Sequence, residues 1–288
     1  MTIAYGTYGM PYEALELALP RLAQIGYDAV ELCIADDYPA AAAHLSLAGR
    51  KGLRRLLGDN RLDACALMML SNVMADAAEH ERNLRALGEA CLLAHDLAMN
   101  APVLTTTVGG RPENWETDRT VLVHHLRDWA AIAGREGCIV AIEPHVGSIL
   151  DRPERAAWAI AEVASLDLRL NLDVSHFDLQ GYSTKYVVAL LAPLAVHAHV
   201  KDGRTANGKA QFLLPGAGGF DYAPYLQWMR QAGYEGPITV EISRQLSTCA
   251  DYDPYTAARF SYQTLASAFA RAGIRRRGPT KEHGPAAR

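Results

Sequence analysis

The sequence has little that would build a disulfide scaffold, a membrane anchor or a nucleic-acid surface. Its five cysteines (Cys33, Cys65, Cys91, Cys138, Cys249) are odd in number and scattered, and no two form a Cys-x-x-Cys pair. That argues against a disulfide framework and a thiolate metal site, and fits reduced thiols in a cytoplasmic protein. No run approaches roughly 18 apolar residues, so no membrane span is expected. A net charge of -4 offers no basic footprint for nucleic acid. No charged leader with a cleavage pattern precedes the first apolar stretch, Ile3-Ala4-Tyr5-Gly6. A Gly-rich phosphate loop after an early strand is also missing, which argues against a doubly wound dinucleotide fold. Gly216-Ala217-Gly218-Gly219 comes late and reads as a turn or lid.

What is present is a chain of 288 residues, half of them hydrophobic, enough for one large core. Strand and helix signals alternate from end to end. Strand patterns fall at 3–7, 27–33, 62–70, 102–108, 138–143, 168–173, 195–201 and 237–242. Helical patterns fall at 11–25, 39–57, 74–99, 117–135, 152–164, 183–191, 222–232 and 254–272. A long loop runs from 202 to 219. Eight such pairs without a linker predict a single α/β domain over residues 1–274, a (β/α)₈ TIM barrel. The stretch 275–288 is basic and rich in Pro and Gly, and is expected to be a disordered tail.

The chemistry gathers at strand ends. Val196-His197-Ala198-His199-Val200-Lys201-Asp202 puts three nitrogen side chains on one face of a strand, because alternate residues share a face. Three other apolar strands end in a carboxylate: Glu143 in Ala-Ile-Glu-Pro-His145, Asp173 in Leu-Asp-Val-Ser-His176, and Glu241 in Thr-Val-Glu-Ile. In a barrel, the C-terminal strand ends carry the active site. The fifth to eighth strands are neighbours, so Glu143, Asp173, His199 and Glu241 should converge.

These residues resemble the sugar phosphate isomerase/epimerase family, the xylose isomerase-like barrels. The resemblance covers almost the whole chain. It begins at Gly26-Tyr27-Asp28-Ala29-Val30-Glu31-Leu32 and runs through Ile142-Glu143-Pro144, Leu172-Asp173-Val174-Ser175-His176 and the His-x-His-x-Lys-Asp run. It closes with Pro215 to Asp221, Gly233-Tyr234-Glu235-Gly236 and Val240-Glu241. It implies one divalent metal on Glu143, Asp173, His199 and Glu241, and a substrate contact at His176. Three carboxylates and an imidazole suit Mn²⁺ best, with Mg²⁺, Co²⁺, Fe²⁺ or Zn²⁺ also compatible.

The expected activity is an isomerase or epimerase of a sugar or keto-polyol, with Glu143 and Glu241 as the acid/base pair. The alternatives are a dehydratase or lyase of an inosose- or dehydroshikimate-like substrate and a non-catalytic sugar-binding barrel. Lys201 is read either as a substrate contact or as a salt bridge to a carboxylate. Glu31 is read either as a substrate contact or as an ion pair closing the mouth. His145 is a substrate or supporting group, and His197 is expected one layer below the metal. Trp115 is expected to wall the pocket. A homo-oligomer is compatible with this reading.

The pattern departs from the ketose 3-epimerase branch. Ile149 stands where that branch has a Glu, Arg204 is out of register, and Lys201 is not its usual residue. The apurinic endonuclease branch needs further His ligands, but strands three and four end in Met68-Met69-Leu70 and Thr106-Thr107-Val108. Two-metal xylose isomerases need additional Asp ligands, including an Asp-x-Asp pair, which no strand end of this sequence carries.

Overall fold

The computed structural model describes residues 1–278; the rest of the expected tail lies outside the described residues. Eight parallel strands close into a barrel: β1 (Thr2–Gly6), β2 (Ala29–Cys33), β3 (Asp63–Met74), β4 (Val103–Gly109), β5 (Ile139–Glu143), β6 (Leu168–Asn171), β7 (Ala195–Val200) and β10 (Pro237–Val240). Their order round the ring is β1-β10-β7-β6-β5-β4-β3-β2, so each strand lies beside its sequence neighbour in the barrel. The connecting helices are α1 (Leu15–Ile25), α2 (Leu47–Asp59), α3 (Ala77–Asp96), α4 (Trp115–Arg135), α5 (Pro153–Val163), α7 (Thr184–Leu191), α8 (Tyr222–Gln231) and α10 (Pro254–Ala272). Two short helices, α6 (Ser175–Asp178) and α9 (Arg244–Ser247), follow β6 and β10. No helix among the described residues is long and apolar enough to cross a membrane.

The helix ends follow local chemistry. Pro153 and Pro254 stand in first turns, where the missing N–H costs nothing. The Asp253 carboxylate accepts from the Thr256 N–H and caps α10. Gly26 ends α1 at φ 117°, a left-handed conformation that favours glycine.

The main core lies between the outer face of the strands and the helices. Leu104, Val140, Ile142, Leu170, Val200 and Val240 meet Leu19, Leu87, Leu122, Trp129, Tyr225 and Phe269 there. A separate cluster of Ala66, Val103 and Ala141 packs together with Val196 beside it. Ala141 is two residues before Glu143 on β5, so both project from the same face. Small apolar residues therefore occupy the inside of the barrel, with a polar layer above them.

The loop expected from 202 to 219 instead begins as an antiparallel hairpin of β8 (Asp202–Ala206) and β9 (Lys209–Leu213). Asn207 and Gly208, at φ 51° and 70°, make its turn. The strand β3 also runs farther than its apolar pattern, because Asn72 and Met74 still pair with Thr107 and Gly109 of β4. At the other end of the barrel, Arg276 binds the Asp28 carboxylate at 2.7 Å and Arg277 pairs with Glu235, so residues 276 and 277 pack against the domain.

Candidate active site

Four strand ends bring the candidate ligands together. Glu143 closes β5, in register with Thr107 of β4. Asp173 follows β6, and its place is fixed from both sides: the Leu172 N–H donates to the His197 carbonyl, and the His199 N–H to the Leu172 carbonyl. His199 lies in β7 beside Thr239, and the Glu241 N–H donates to the Val200 carbonyl. One ligand atom from each of Glu143, Asp173, His199 and Glu241 lies within 4.8 Å of all the others, and all four residues are buried. The expected convergence is therefore present in the geometry.

Lys201 projects into the same place. Its ammonium bonds the Asp173 and Glu241 carboxylates and stands 3.7 Å from Glu143 Oε1. Burial alone would lower the lysine pKa, but the three carboxylates outweigh it and raise it. In return, Lys201 holds Glu241 down to about 2, against a burial effect that would raise it. Glu143 is likewise held well below the carboxylate range, by Lys201 and the nearby His176 and His199 imidazoles, despite burial. Glu143 Oε1 has no hydrogen-bond partner although it is buried.

Below His199 lies a second layer. Glu31 is fully buried; its Oε2 stands 2.7 Å from His199 Nε2 and its Oε1 accepts the Thr105 hydroxyl at 2.6 Å. His197 Nε2 is 3.5 Å from Glu31 Oε1. Burial opposes the Glu31 charge, but the two imidazoles and the two bonds hold its carboxyl below the usual range. Glu31 thus packs against the two imidazoles and is not among the residues that line the cavity. His197 is also fully buried there, and burial pushes it down to about 4, so it is neutral at physiological pH. Glu31, Glu241 and Glu143 together raise His199 well above its ordinary value, against burial. With Nε2 turned to Glu31, its Nδ1 is the ring nitrogen that faces Glu143 at 3.6 Å and Glu241 at 3.5 Å.

His176 lies beside the four. Its Nε2 is 3.4 Å from Glu143 Oε1 and 3.9 Å from Asp173 Oδ2, and neither ring nitrogen has a hydrogen-bond partner. Burial, Lys201 and His145 all lower its pKa. His145 lies against it with ring centroids 3.7 Å apart, and Phe212 of β9 packs edge-on to both rings, 5.1 Å from His176 and 6.4 Å from His145. Trp115 does not wall this pocket. It opens α4 and packs edge-on against Trp158 at 4.9 Å, with Arg155 stacked on it.

The cavity at the site, about 90 Å³, is lined by Tyr8, Met68 to Leu70, Thr105 to Thr107, Asn171, His145, Glu143, His199 and Glu241. Sequence reasoning missed Asn171, whose amide nitrogen lies 3.0 Å from His199 Nδ1, and Phe212, which the hairpin delivers. Alternation along β6 could have shown Asn171 on the face of Asp173, two residues on. A larger hollow of about 650 Å³ lies outside the barrel, between α4 and α5, without a cluster of buried titratable groups.

A family profile described as a xylose isomerase-like TIM barrel matches residues 19–264. The chain belongs to that family. Among characterised relatives, it is 26% identical to the rhizopine catabolism protein MocC of Rhizobium meliloti, over 91% of this chain and 83% of that protein. It is 24% identical to an inosose dehydratase of Geobacillus thermodenitrificans, over 56% of each. The match to that dehydratase thus spans about half its length. Solved structures share the fold. The IOLI protein with a bound zinc atom superposes with a TM-score of 0.80 at 18% identity, over 94% of this chain and 99% of that one. A D-psicose 3-epimerase superposes with a TM-score of 0.76 at 14% identity, over 95% and 100%. Inosose dehydratases thus stand among the chain's relatives, and a D-psicose 3-epimerase among the solved structures that share its fold.

Proposed function

We propose that this chain is a divalent-metal-dependent enzyme that moves a proton at a carbon next to a carbonyl in an uncharged sugar or keto-polyol, as an isomerase or epimerase. The observation that carries this reading is the arrangement of four buried side chains on four adjacent strands, with the two glutamates on the outermost. The donor set fits a hard divalent ion: three carboxylate oxygens and one imidazole nitrogen, one of the oxygens (Glu143 Oε1) buried without a partner. Glu143, Asp173, His199 and Glu241 would hold that ion, with Mn²⁺ the first candidate. When bound, it would supply a Lewis acid that favours negative charge on a substrate oxygen.

The chain's own groups do the rest. One glutamate takes the proton from carbon and the other returns it, through a substrate enediolate. His199 would offer Nδ1 to the ion, because its Nε2 is held by Glu31. His176, with two buried unpartnered nitrogens, is the group best placed to hold a substrate hydroxyl. His145 lies against it nearer the solvent. The cavity lining includes no arginine or lysine. That favours a neutral substrate over a phosphorylated or carboxylated one.

Dehydration of an inosose-like substrate is a second reading. It begins with the same proton abstraction and then expels a hydroxyl, for which Lys201 or His176 is a candidate acid. The likeness to inosose dehydratase supports it.

One experiment tests both. Mn²⁺-loaded protein is incubated with candidate keto-sugars and inososes in D₂O and followed by NMR. Deuterium at the reacting carbon with the carbon count of hydroxyls kept supports epimerisation, and loss of water supports dehydration. Turnover with every C–H unexchanged would sink the shared mechanism. Glu143→Gln and Glu241→Gln should each slow turnover by about 10²–10⁴-fold, the worth of a positioned base.

A further inference from the structure

We propose that Lys201 and the divalent ion are alternative occupants of one carboxylate cradle, so that metal binding displaces the Lys201 ammonium and frees it for the substrate side. The inference rests on the metal reading above. It comes from which oxygen atoms the lysine uses. Asp173 has two carboxylate oxygens, and Oδ1 already accepts the Ser175 backbone N–H at 2.8 Å. That leaves Oδ2 for a cation, and Oδ2 is the atom Lys201 bonds. On Glu241, Lys201 bonds Oε2, the oxygen that also faces His199 Nδ1 at 3.5 Å. On Glu143 it approaches Oε1, which faces both His199 Nδ1 and His176 Nε2. The ammonium thus stands against one oxygen of each of the three carboxylates, in a cluster no wider than 4.8 Å. A second cation cannot take the same oxygens while it stays.

The chain also provides somewhere for the lysine to go. Lys201 follows β7 at the mouth, and its ammonium already lies 5.1 Å from the Phe212 ring on the hairpin. An aromatic face attracts a cation, so a displaced ammonium has a resting place over Phe212, next to His176 and His145. Metal loading would then do two things at once. It would fill the cradle and present a charged N–H donor beside the bound substrate. Without metal, the lysine offsets part of the repulsion among the three carboxylates.

The test compares metal-stripped wild type with Lys201→Met and Lys201→Gln by calorimetric titration with Mn²⁺. If the ammonium holds the cradle about nine-tenths of the time, it weakens the apparent affinity about tenfold. Both variants should therefore bind Mn²⁺ on the order of tenfold more tightly than wild type. Equal or weaker binding by the variants overturns the displacement while leaving the metal reading intact. Absence of Mn²⁺ binding by all three proteins overturns both. Wild type supplies a second readout that needs no substitution. Reductive dimethylation followed by mass spectrometry should show Lys201 modified several-fold faster after Mn²⁺ is added, with Lys51 and Lys185 unchanged. A Lys201 rate that stays the same or falls on Mn²⁺ addition would count against the proposal.

Discussion

Glu31→Gln is the substitution that separates a supporting carboxylate from a substrate-binding one. Glu31 is fully buried and holds two groups at once, His199 Nε2 at 2.7 Å and the Thr105 hydroxyl at 2.6 Å. Glutamine keeps the volume and one acceptor oxygen. The Thr105 hydroxyl can rotate to accept from the new amide, which leaves the amide oxygen for His199. The shape of the layer therefore survives, and what is lost is the charge. A hydrogen bond to a charged group contributes about 1.5–3 kcal/mol. Truncation of a buried ion pair can cost about 3–5 kcal/mol, but only if the other charge is stranded. His199 escapes that by releasing its proton, so we expect the lower range, about 1.5–3 kcal/mol, in urea unfolding of the metal-stripped protein. The carboxylate also orients Nδ1 toward Glu143 and Glu241, and such partners of a ligating histidine are worth about 10–100-fold in metal affinity. Calorimetric titration with Mn²⁺ should show a loss of that size. A Glu31→Gln protein that binds Mn²⁺ as tightly as wild type and unfolds within about 0.5 kcal/mol of it would refute the layered reading of His199.

Two further outcomes test the scaffold. Gly26→Ala should destabilise the barrel by more than about 1–2 kcal/mol in urea, because Gly26 has φ 117° and an added Cβ would come within 2.4 Å of the Tyr262 hydroxyl; stability equal to wild type would show that this junction is not strained. His125 gives a pH prediction: burial lowers its pKa, with the stacked His80 adding to the effect, so the unfolded chain takes up the proton first. Its contribution is fully present above the unfolded value of about 6.5 and is lost as pH falls from there through the lower folded value. Thermal melts of wild type and His125→Gln between pH 8 and 5 should converge on acidification, and parallel curves would refute this.

Much of the site was legible because strand alternation and barrel rules act locally. Ile-Glu at the end of β5 and the His-x-His-x-Lys run of β7 announce their faces by period two alone. Strand order then follows from eight consecutive strand–helix units, and order brings Glu143, Asp173, His199 and Glu241 to one side. The elements misread have equally local causes. The alanine-rich stretch after Pro39 looks helical, yet α2 begins only at Leu47, where the Ser46 hydroxyl accepts the Gly49 N–H and supplies the cap. The hairpin after β7 carries an Asn-Gly turn signal, but its strands hold Arg, Thr, Lys and Gln without an apolar alternation to frame it. Missing the hairpin meant missing Phe212.

Depth along the barrel axis is the quantity alternation does not contain. Glu31, His197 and His199 all point inward, and nothing local says which stand level with one another. That depends on the stagger between strands, a property of the closed ring. The ring aligns Glu31 with Ala66 of β3 and Gly6 of β1, and so with Thr105, 74 residues away, and His199, 168 residues away. Along β7 the two histidines differ by one inward step. His197 therefore meets Glu31 alone, while His199 meets Glu31 with one nitrogen and the carboxylates with the other. One more inward step places Lys201 among those carboxylates. The same strand thus supplies a neutral imidazole at the bottom, a bridging imidazole in the middle and a cation at the top. The division of labour among three similar-looking positions is set by height, and height is read only from the assembled barrel.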